Sequence, residues 1–327
     1  MFKMTFLGTS SGVPTKTRNV SALAIQTGQG RDWVLFDCGE ATQHRLLHTP
    51  LSVRDLTAIC ITHVHGDHCY GLPGLLASAA MNGRREPLLL LAPKAVLRWL
   101  DATIECSELF LPYPLECRDV AEVSVAEVSG CTLSAHRLSH RVESHGYAIE
   151  RVVVHASLRA EALRAAGLAP GPDWKRLQAG ETVTLPDGRV LAPADFVEQR
   201  RECWRVVVGG DNDDPGLLAD ACRGAQLLVH ETTYTEEALQ RIGPGPMHSS
   251  AARVARFAAA AGLPNLIMTH FSPRYQDEGP TTVAELAQEA RAEYSGNLLL
   301  ARDFDRYELG RDGVVRLVAE ATIANGG

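Results

Sequence analysis

The sequence has no long hydrophobic run. Its longest purely apolar stretches, such as Leu88 to Ala92, are far too short to span a bilayer. Met1 to Gly12 has neither the basic start nor the extended apolar core of a secretory signal. The expected location is therefore cytoplasmic, with no membrane partner. CxxC pairs are also missing. The 8 cysteines (Cys38, Cys60, Cys69, Cys106, Cys117, Cys131, Cys203 and Cys222) are scattered, which argues against a zinc ribbon or a disulfide framework and predicts reduced, mostly buried thiols. Nor is there an excess of positive charge. With 32 Lys+Arg against 39 Asp+Glu, the formal net charge of −7 argues against an indiscriminate nucleic-acid coat while leaving room for a local basic patch. The chain shows no internal repeat and no low-complexity tract; Ala258 to Ala261 reads as helix.

What is present is the composition of an ordinary globular protein, 327 residues with 45% apolar and 22% charged, enough for a sizeable core. Met4 to Leu7, Ala22 to Gln26, Trp33 to Asp37, Leu56 to Thr62 and Leu88 to Ala92 read as strands separated by Gly, Pro and polar turns. Pro93 to Ala102, Ser249 to Ala261 and Thr282 to Ala292 show helical spacing. Arg205 to Val208, Leu227 to His230, Leu266 to Thr269 and Leu298 to Ala301 are further short strands. The mixture predicts an α/β fold in which sheets are covered by helices. Residues 151–201 are richer in charge, Gly and Pro around Gly167 to Arg176, and read as a protruding insertion in a domain that otherwise occupies 1–327.

The chemistry concentrates at Thr62-His63-Val64-His65-Gly66-Asp67-His68, directly after the apolar run Leu56 to Ile61. Imidazole nitrogen and carboxylate oxygen together suit zinc, and ligands that alternate along an extended segment before closing on a turn can face two ions. Strand ends are rigid enough to hold such ligands. Three more candidates follow apolar runs directly or nearly so: His140, Asp211 and His270. One economical arrangement gives one ion His63, His65 and His140 and the other Asp67, His68 and His270, with Asp211 bridging. Two cations would lower the pKa of a shared water enough to supply hydroxide near neutral pH. Spacing alone leaves each distant residue open between a ligand and a structural strand-end residue. Asp67 is placed to bind metal through one oxygen and accept a proton through the other, as a general base.

In this order the motifs resemble the tRNase Z family of the metallo-β-lactamase superfamily over nearly the whole chain. The resemblance is carried by Leu7 to Pro14, by the PxKxRN-like Pro14 to Asn19, by Phe36-Asp37-Cys38-Gly39-Glu40 and by the metal motif with His140. It continues in Gly210-Asp211, His230-Glu231-Thr232-Thr233, His248-Ser249-Ser250, Thr269-His270 and Ala301-Arg302-Asp303-Phe304. It implies an αβ/βα four-layer metallo-β-lactamase sandwich and two Zn2+ per subunit on the seven ligands named above. It also implies hydrolysis of a phosphodiester at the 3′ trailer of precursor tRNA, leaving a 3′ hydroxyl. On the same footing His248 is the proton donor to the leaving oxygen, oriented by Glu231, while His230 reads either as a second layer behind the ligands or as a satisfied core histidine. Residues 151–201 are the flexible arm that grips the tRNA elbow through Lys175 and Arg176 beside Trp174. Lys16 and Arg18 lie in the loop that senses the RNA 3′ end, and a homodimer is expected. The chain departs from the family pattern in Asn212-Asp213-Asp214, where the family usually has Thr after Gly-Asp.

Two other readings compete. A hydrolase of a small phosphodiester, sulfate ester or lactone would keep the two-metal site but gain nothing from an arm that grips RNA far from the scissile bond. A non-catalytic RNA-binding scaffold would have no reason to keep seven ligands and both proton-transfer candidates.

Overall fold

The computed structural model describes residues 1–28 and 30–319; residues 320–327 of the expected 1–327 domain lie outside the described residues. The chain forms two compact units, one made of Met1–Glu150 with Arg205–Gly327 and the other of Arg151–Trp204.

The first unit is built on two large sheets. One has eight strands in the spatial order Val315–Ala319, Arg306–Leu309, Lys3–Gly8, Ala22–Gln26, Trp33–Phe36, Leu56–Cys60, Leu88–Ala92 and Leu115–Asp119. It is antiparallel up to Trp33–Phe36 and parallel beyond it. The parallel half explains the unbroken apolar runs: all five residues of Leu88–Ala92 are buried, as expected for a strand covered on both faces. The other sheet has seven strands, ordered Asn297–Leu300, Asn265–Thr269, Leu227–Glu231, Val197–Val208, Ser144–Leu158, Cys131–Leu138 and Val125–Val128.

Helices cover the outer face of each sheet. Leu72–Met81 and Lys94–Cys106 pack on the first around Ile59, Leu75, Leu90 and Leu100. Ala251–Ala260 and Val283–Glu293 pack on the second around Leu228, Val254, Leu266 and Leu286. Both of these last helices begin at definite caps. The Ser250 side chain accepts the Arg253 N–H, and Thr282 with Glu285 forms a capping box. Between the sheets, Tyr147 meets Phe36 with ring centroids 6.0 Å apart and donates its hydroxyl to the Ile61 carbonyl at 2.7 Å. The result is the αβ/βα four-layer sandwich.

Most expected elements are observed with boundaries shifted by a few residues, the helix expected at Pro93 to Ala102 running Lys94–Cys106, but the strand expected at Arg205 to Val208 is the end of a longer one, Val197–Val208. Five of the cysteines are buried and three exposed. Among the described residues no helix is long and apolar enough to cross a membrane.

The second unit closes on its own small core, Leu163, Leu168, Leu177, Val183, Leu185 and Leu191, with Trp174 and Phe196 against it. Helices Ala160–Ala165 and Pro172–Gln178 and the pair Val183–Thr184 with Val190–Leu191 form it. It extends to Trp204, three residues past the expected boundary. Sequence reading found the Gly and Pro but not this core, because six apolar side chains spread over short elements leave no periodicity.

Candidate metal centre

Strand Leu56–Cys60 leads to His63, His65 follows in extended backbone, and the turn of helix Gly66–Cys69 folds Asp67 and His68 back beside them. Ser144–Leu158 and Cys131–Leu138 flank the segment that carries His140; Val197–Val208 leads to Asp211, and Asn265–Thr269 to His270. Side chains from four chain segments thereby converge. Asp37, Met247 and His270 sit at positive φ (58, 55 and 57°), a conformation that non-glycine residues adopt at a cost and that clusters at functional sites.

Among the described residues three overlapping groups are close enough to share an ion: His63, His65, His140 and Asp211 in the first, Asp67, His68 and His270 in the second, and Asp211, His248 and His270 in a third that borrows from both sides. In the first, His63 Nε2 and His140 Nε2 lie 3.0 and 3.2 Å from His65 Nδ1. In the second, His68 Nε2 and His270 Nε2 are 3.2 Å apart, and Asp67 Oδ2 is 3.4 and 3.5 Å from them. Asp211 spans both. Its Oδ2 is 3.6 Å from His63 Nε2 and 3.8 Å from His140 Nε2. Its Oδ1 is 3.4 Å from His68 Nε2 and 3.3 Å from His270 Nε2.

These residues fit a cation, and the hydrogen bonds behind them say why. His140 Nδ1 faces the Met247 carbonyl at 3.0 Å and His68 Nδ1 faces Asp37 Oδ2 at 2.7 Å, both acceptors. Each imidazole that donates there turns a bare Nε2 lone pair toward the centre. Lone pairs and carboxylate oxygens crowded at such distances repel unless a positive charge lies among them. Asp211 Oδ1 is buried with no hydrogen-bond partner, as expected of a group waiting for a metal. Burial, and after it neighbouring His68, pushes His63 well below the usual imidazole range; burial likewise lowers His65 and His140. Burial opposes ionisation of Asp211, but His270, His68 and His63 outweigh it and hold the carboxyl well below its usual range. Burial would also lower His68, yet Asp211, Asp67 and Asp37 together raise it.

Next to this centre stands a dyad. His248 Nδ1 lies 3.2 Å from Glu231 Oε1. Glu231 is fully buried and immobilised, Oε1 accepting from the Ser249 N–H at 2.9 Å and Oε2 from the Thr233 N–H at 3.0 Å and its hydroxyl. Burial would lower His248, but the Glu231 and Asp211 carboxylates push it up to about 9.

Asp37, a polar residue directly after an apolar strand and of the kind a metal needs, orients His68. Two other contacts escaped sequence reading as site features although their motifs were visible. Thr233 Oγ1 lies 3.1 Å from His270 Nδ1. Gly12 donates its N–H to Asp67 Oδ2 at 2.7 Å. His230 is the buried, satisfied core histidine, its Nδ1 2.7 Å from the Glu231 carbonyl, and it belongs to none of the ligand groups.

Arg18, expected near the RNA 3′ end, lies inside the protein. It is buried at 4% exposure and directs its guanidinium to Thr9 Oγ1, the Ala301 carbonyl and Asp277 Oδ1 at 2.7, 2.8 and 2.7 Å. A side chain so engaged holds the loop, with Nε left without a hydrogen-bond partner. Lys16 in the same loop is exposed. Within the second unit Lys175 is exposed, whereas Arg176 is already paired with Asp173 at 3.1 Å and Glu181 at 3.0 Å. Trp174 is partly buried against that unit's own core.

The departure at Asn212 is accommodated locally: its Oδ1 accepts the N–H groups of Ser139 and Asp214 at 3.3 and 3.2 Å, and Asp214 caps Pro215–Leu218.

Comparison with known proteins gives three findings beside this geometry. The family model described as Anti-Pycsar protein Apyc1 matches residues 2–156. Ribonuclease Z of Pseudomonas putida (strain GB-1) is 50% identical over 315 residues, covering 96% of this chain and 98% of that protein. Among solved structures, human tRNase Z, short form, matches with a TM-score of 0.64 at 23% identity, covering 94% of this chain and 99% of that one. The metallo-β-lactamase fold protein YhfI from Bacillus subtilis matches at 0.62 and 18%, covering 93% and 98%. At those identities the structures speak for the fold, and it is the metallo-β-lactamase fold seen here. The near-full-length match at half identity speaks for descent: the chain belongs to the ribonuclease Z family.

Proposed function

We propose that this endoribonuclease, a tRNA 3′-processing enzyme, works through two zinc ions per subunit, one on His63, His65 and His140 and one on Asp67, His68 and His270, with Asp211 shared. The observation that carries the reading is Asp211, whose two carboxylate oxygens face different histidine groups. Imidazole with carboxylate is a donor set that suits zinc. Zinc so held would bring a water's pKa toward neutrality and stabilise charge growing on a phosphoryl oxygen.

The chain's own groups then handle the protons. Asp67 turns Oδ2 to the histidines and to the Gly12 N–H, which leaves Oδ1 to take a proton from the attacking water. That water's oxygen bonds to phosphorus, and the bond from phosphorus to the 3′ oxygen breaks. His248, its Nδ1 held by Glu231, gives the proton on Nε2 to the leaving oxygen. The products are a tRNA ending in a 3′ hydroxyl and a trailer beginning with a 5′ phosphate.

Precursor tRNA is the proposed substrate. Residues 151–204 form the proposed arm on its elbow, with Lys175 as the exposed phosphate contact and Arg176 available on leaving its carboxylates, while Lys16 approaches the RNA 3′ end. A homodimer in the cytoplasm completes the proposal, one subunit's arm holding the tRNA cut by the other. The deciding experiment is incubation of purified protein with a 3′-extended tRNA transcript, with and without chelator, and mapping of both product ends. One cut after the acceptor stem, lost on chelation and restored by zinc, is expected. Intact transcript, or cuts scattered through the body, would reject the reading.

A further inference from the structure

Beside the dyad lies a pocket of about 240 Å³ whose lining includes Asp213, Leu239, Gln240, Met247, His248 and Arg253. Leu239 and Met247 give it apolar surface, and Asp213, Gln240 and Arg253 give it a carboxylate, an amide and a guanidinium. Arg253 commits Nε and Nη2 to Glu236, each at 2.9 Å, which leaves Nη1 outside that fork. The Met247 wall is tied to the metal centre, since its carbonyl faces His140 Nδ1 at 3.0 Å. Asp213 belongs to the segment that departs from the family pattern. Its neighbour Asp214 spends its carboxylate on the Gly216 N–H at 3.0 Å, whereas the Asp213 side chain makes no hydrogen bond among the described residues.

A small slot with apolar walls and polar groups at its edge is the form in which proteins hold an unstacked nucleobase. Its position says which base. Hydrolysis that leaves a 3′ hydroxyl expels the 3′ oxygen of the upstream nucleotide, and the proton for that oxygen comes from His248. The ribose bearing it must therefore sit against His248, and His248 is also part of the pocket lining.

We propose that this pocket takes the base of the nucleotide immediately 5′ to the cut, the unpaired residue after the acceptor stem, and that Asp213 reads that base; the inference rests on the precursor-tRNA reading above. A carboxylate only accepts hydrogen bonds. Guanine offers it two adjacent donors, N1–H and the 2-amino group. Adenine and cytosine offer one amino group each, and uracil offers only an N–H flanked by two carbonyls that repel the carboxylate. The order of preference is guanine, then adenine and cytosine, then uracil.

The test uses four 3′-extended transcripts that differ only at this unpaired nucleotide, which leaves stem pairing undisturbed. Their kcat/KM values are measured with the zinc-loaded wild type and with Asp213→Asn, an isosteric change. Each ratio is taken within one preparation, so a partly folded sample does not alter it. Wild type is expected to cut the guanine substrate about tenfold better than the uracil one, a typical value for one well-placed base contact, and Asp213→Asn to bring the two within about threefold. Equal values for all four substrates, a ranking led by uracil, or an unchanged ratio in Asp213→Asn would overturn the pocket assignment while leaving tRNA cleavage intact. Failure of the wild type to cut any of the four would overturn the precursor-tRNA reading, and this inference with it.

Discussion

Gly12 donates its backbone N–H to Asp67 Oδ2 at 2.7 Å, joining the first loop of the chain to the metal motif 55 residues later. The same loop pairs with the strand end that bears His270, Ser11 N–H to the Phe271 carbonyl at 3.0 Å and Phe271 N–H to the Thr9 carbonyl at 2.9 Å. A segment proposed to meet the RNA 3′ end is thus bonded to one ligand and sits next in chain to another.

Gly12 has φ 72° and open space where a Cβ would go, so Gly12→Ala meets no clash and only backbone strain. That strain is about 1–2 kcal/mol. Shifting the loop to relieve it detaches the N–H from Asp67. The expected outcome is a fall of about tenfold in kcat/KM for precursor tRNA with little change in Tm. Full activity would show that Asp67 does not depend on this bond.

Asp67→Ala removes a ligand and the proposed base together, whereas His248→Ala removes only the proposed acid. Near-complete loss of activity with lowered metal content is expected of the first. For the second, kcat should fall by about 10²- to 10⁴-fold with metal retained. Metal analysis decides: equal depletion of the two variants would remove His248 from the role of acid.

Arg18 and Lys16 should part company. Arg18→Ala leaves Thr9 and Asp277 without a buried donor, and hydrogen bonds to charged groups contribute about 1.5–3 kcal/mol each, so a clear drop in Tm is expected. Lys16→Ala should leave Tm unchanged and make tRNA affinity less salt-dependent, the slope of log affinity on log salt falling by about 0.7–0.9. Thermal denaturation and binding curves separate them, and a stable Arg18→Ala protein would contradict the anchoring role.

Arg176 is held by two carboxylates that a phosphate must displace. Asp173→Asn with Glu181→Gln should release it and tighten tRNA binding at low salt, while Lys175→Ala weakens binding and flattens the salt slope by about 0.7–0.9. Unchanged slopes in both proteins would mean that neither side chain meets the RNA backbone.

The ends of the second unit's compact part are already adjacent, Arg159 N–H bonding the Phe196 carbonyl at 2.8 Å, so a short Gly/Ser link can replace what lies between. Such a protein should lose most activity on precursor tRNA and keep hydrolysis of a small chromogenic phosphodiester, because remote contacts position only the large substrate. Parallel loss of both activities would argue against an arm that acts at a distance.

The apolar runs by themselves determined which segments are strands and hence which polar residues stand at strand ends, because burial on both faces of a parallel sheet demands continuous Leu, Ile and Val. His63 and His270 were legible for that reason. Helix Leu72–Met81 was not legible, since Leu-Pro-Gly-Leu-Leu-Ala-Ser-Ala-Ala-Met carries Pro, Gly and apolar residues all round and shows no face. Edge strand Leu115–Asp119 escaped as well, being half charged and largely uncovered. Which way a polar side chain turns was decided by the tertiary structure alone. Arg18 reads as a surface cation until Asp277 and Ala301, 259 and 283 residues away, supply the acceptors that draw it inward. Asp211 reads from the sequence as a candidate bridge, but which oxygen faces which histidines is set only where the two groups close on it, Oδ2 toward His63 and His140 and Oδ1 toward His68 and His270. Local sequence carries the cost of exposing a chain segment to water, whereas the partners that settle a buried charge come from wherever the fold brings them.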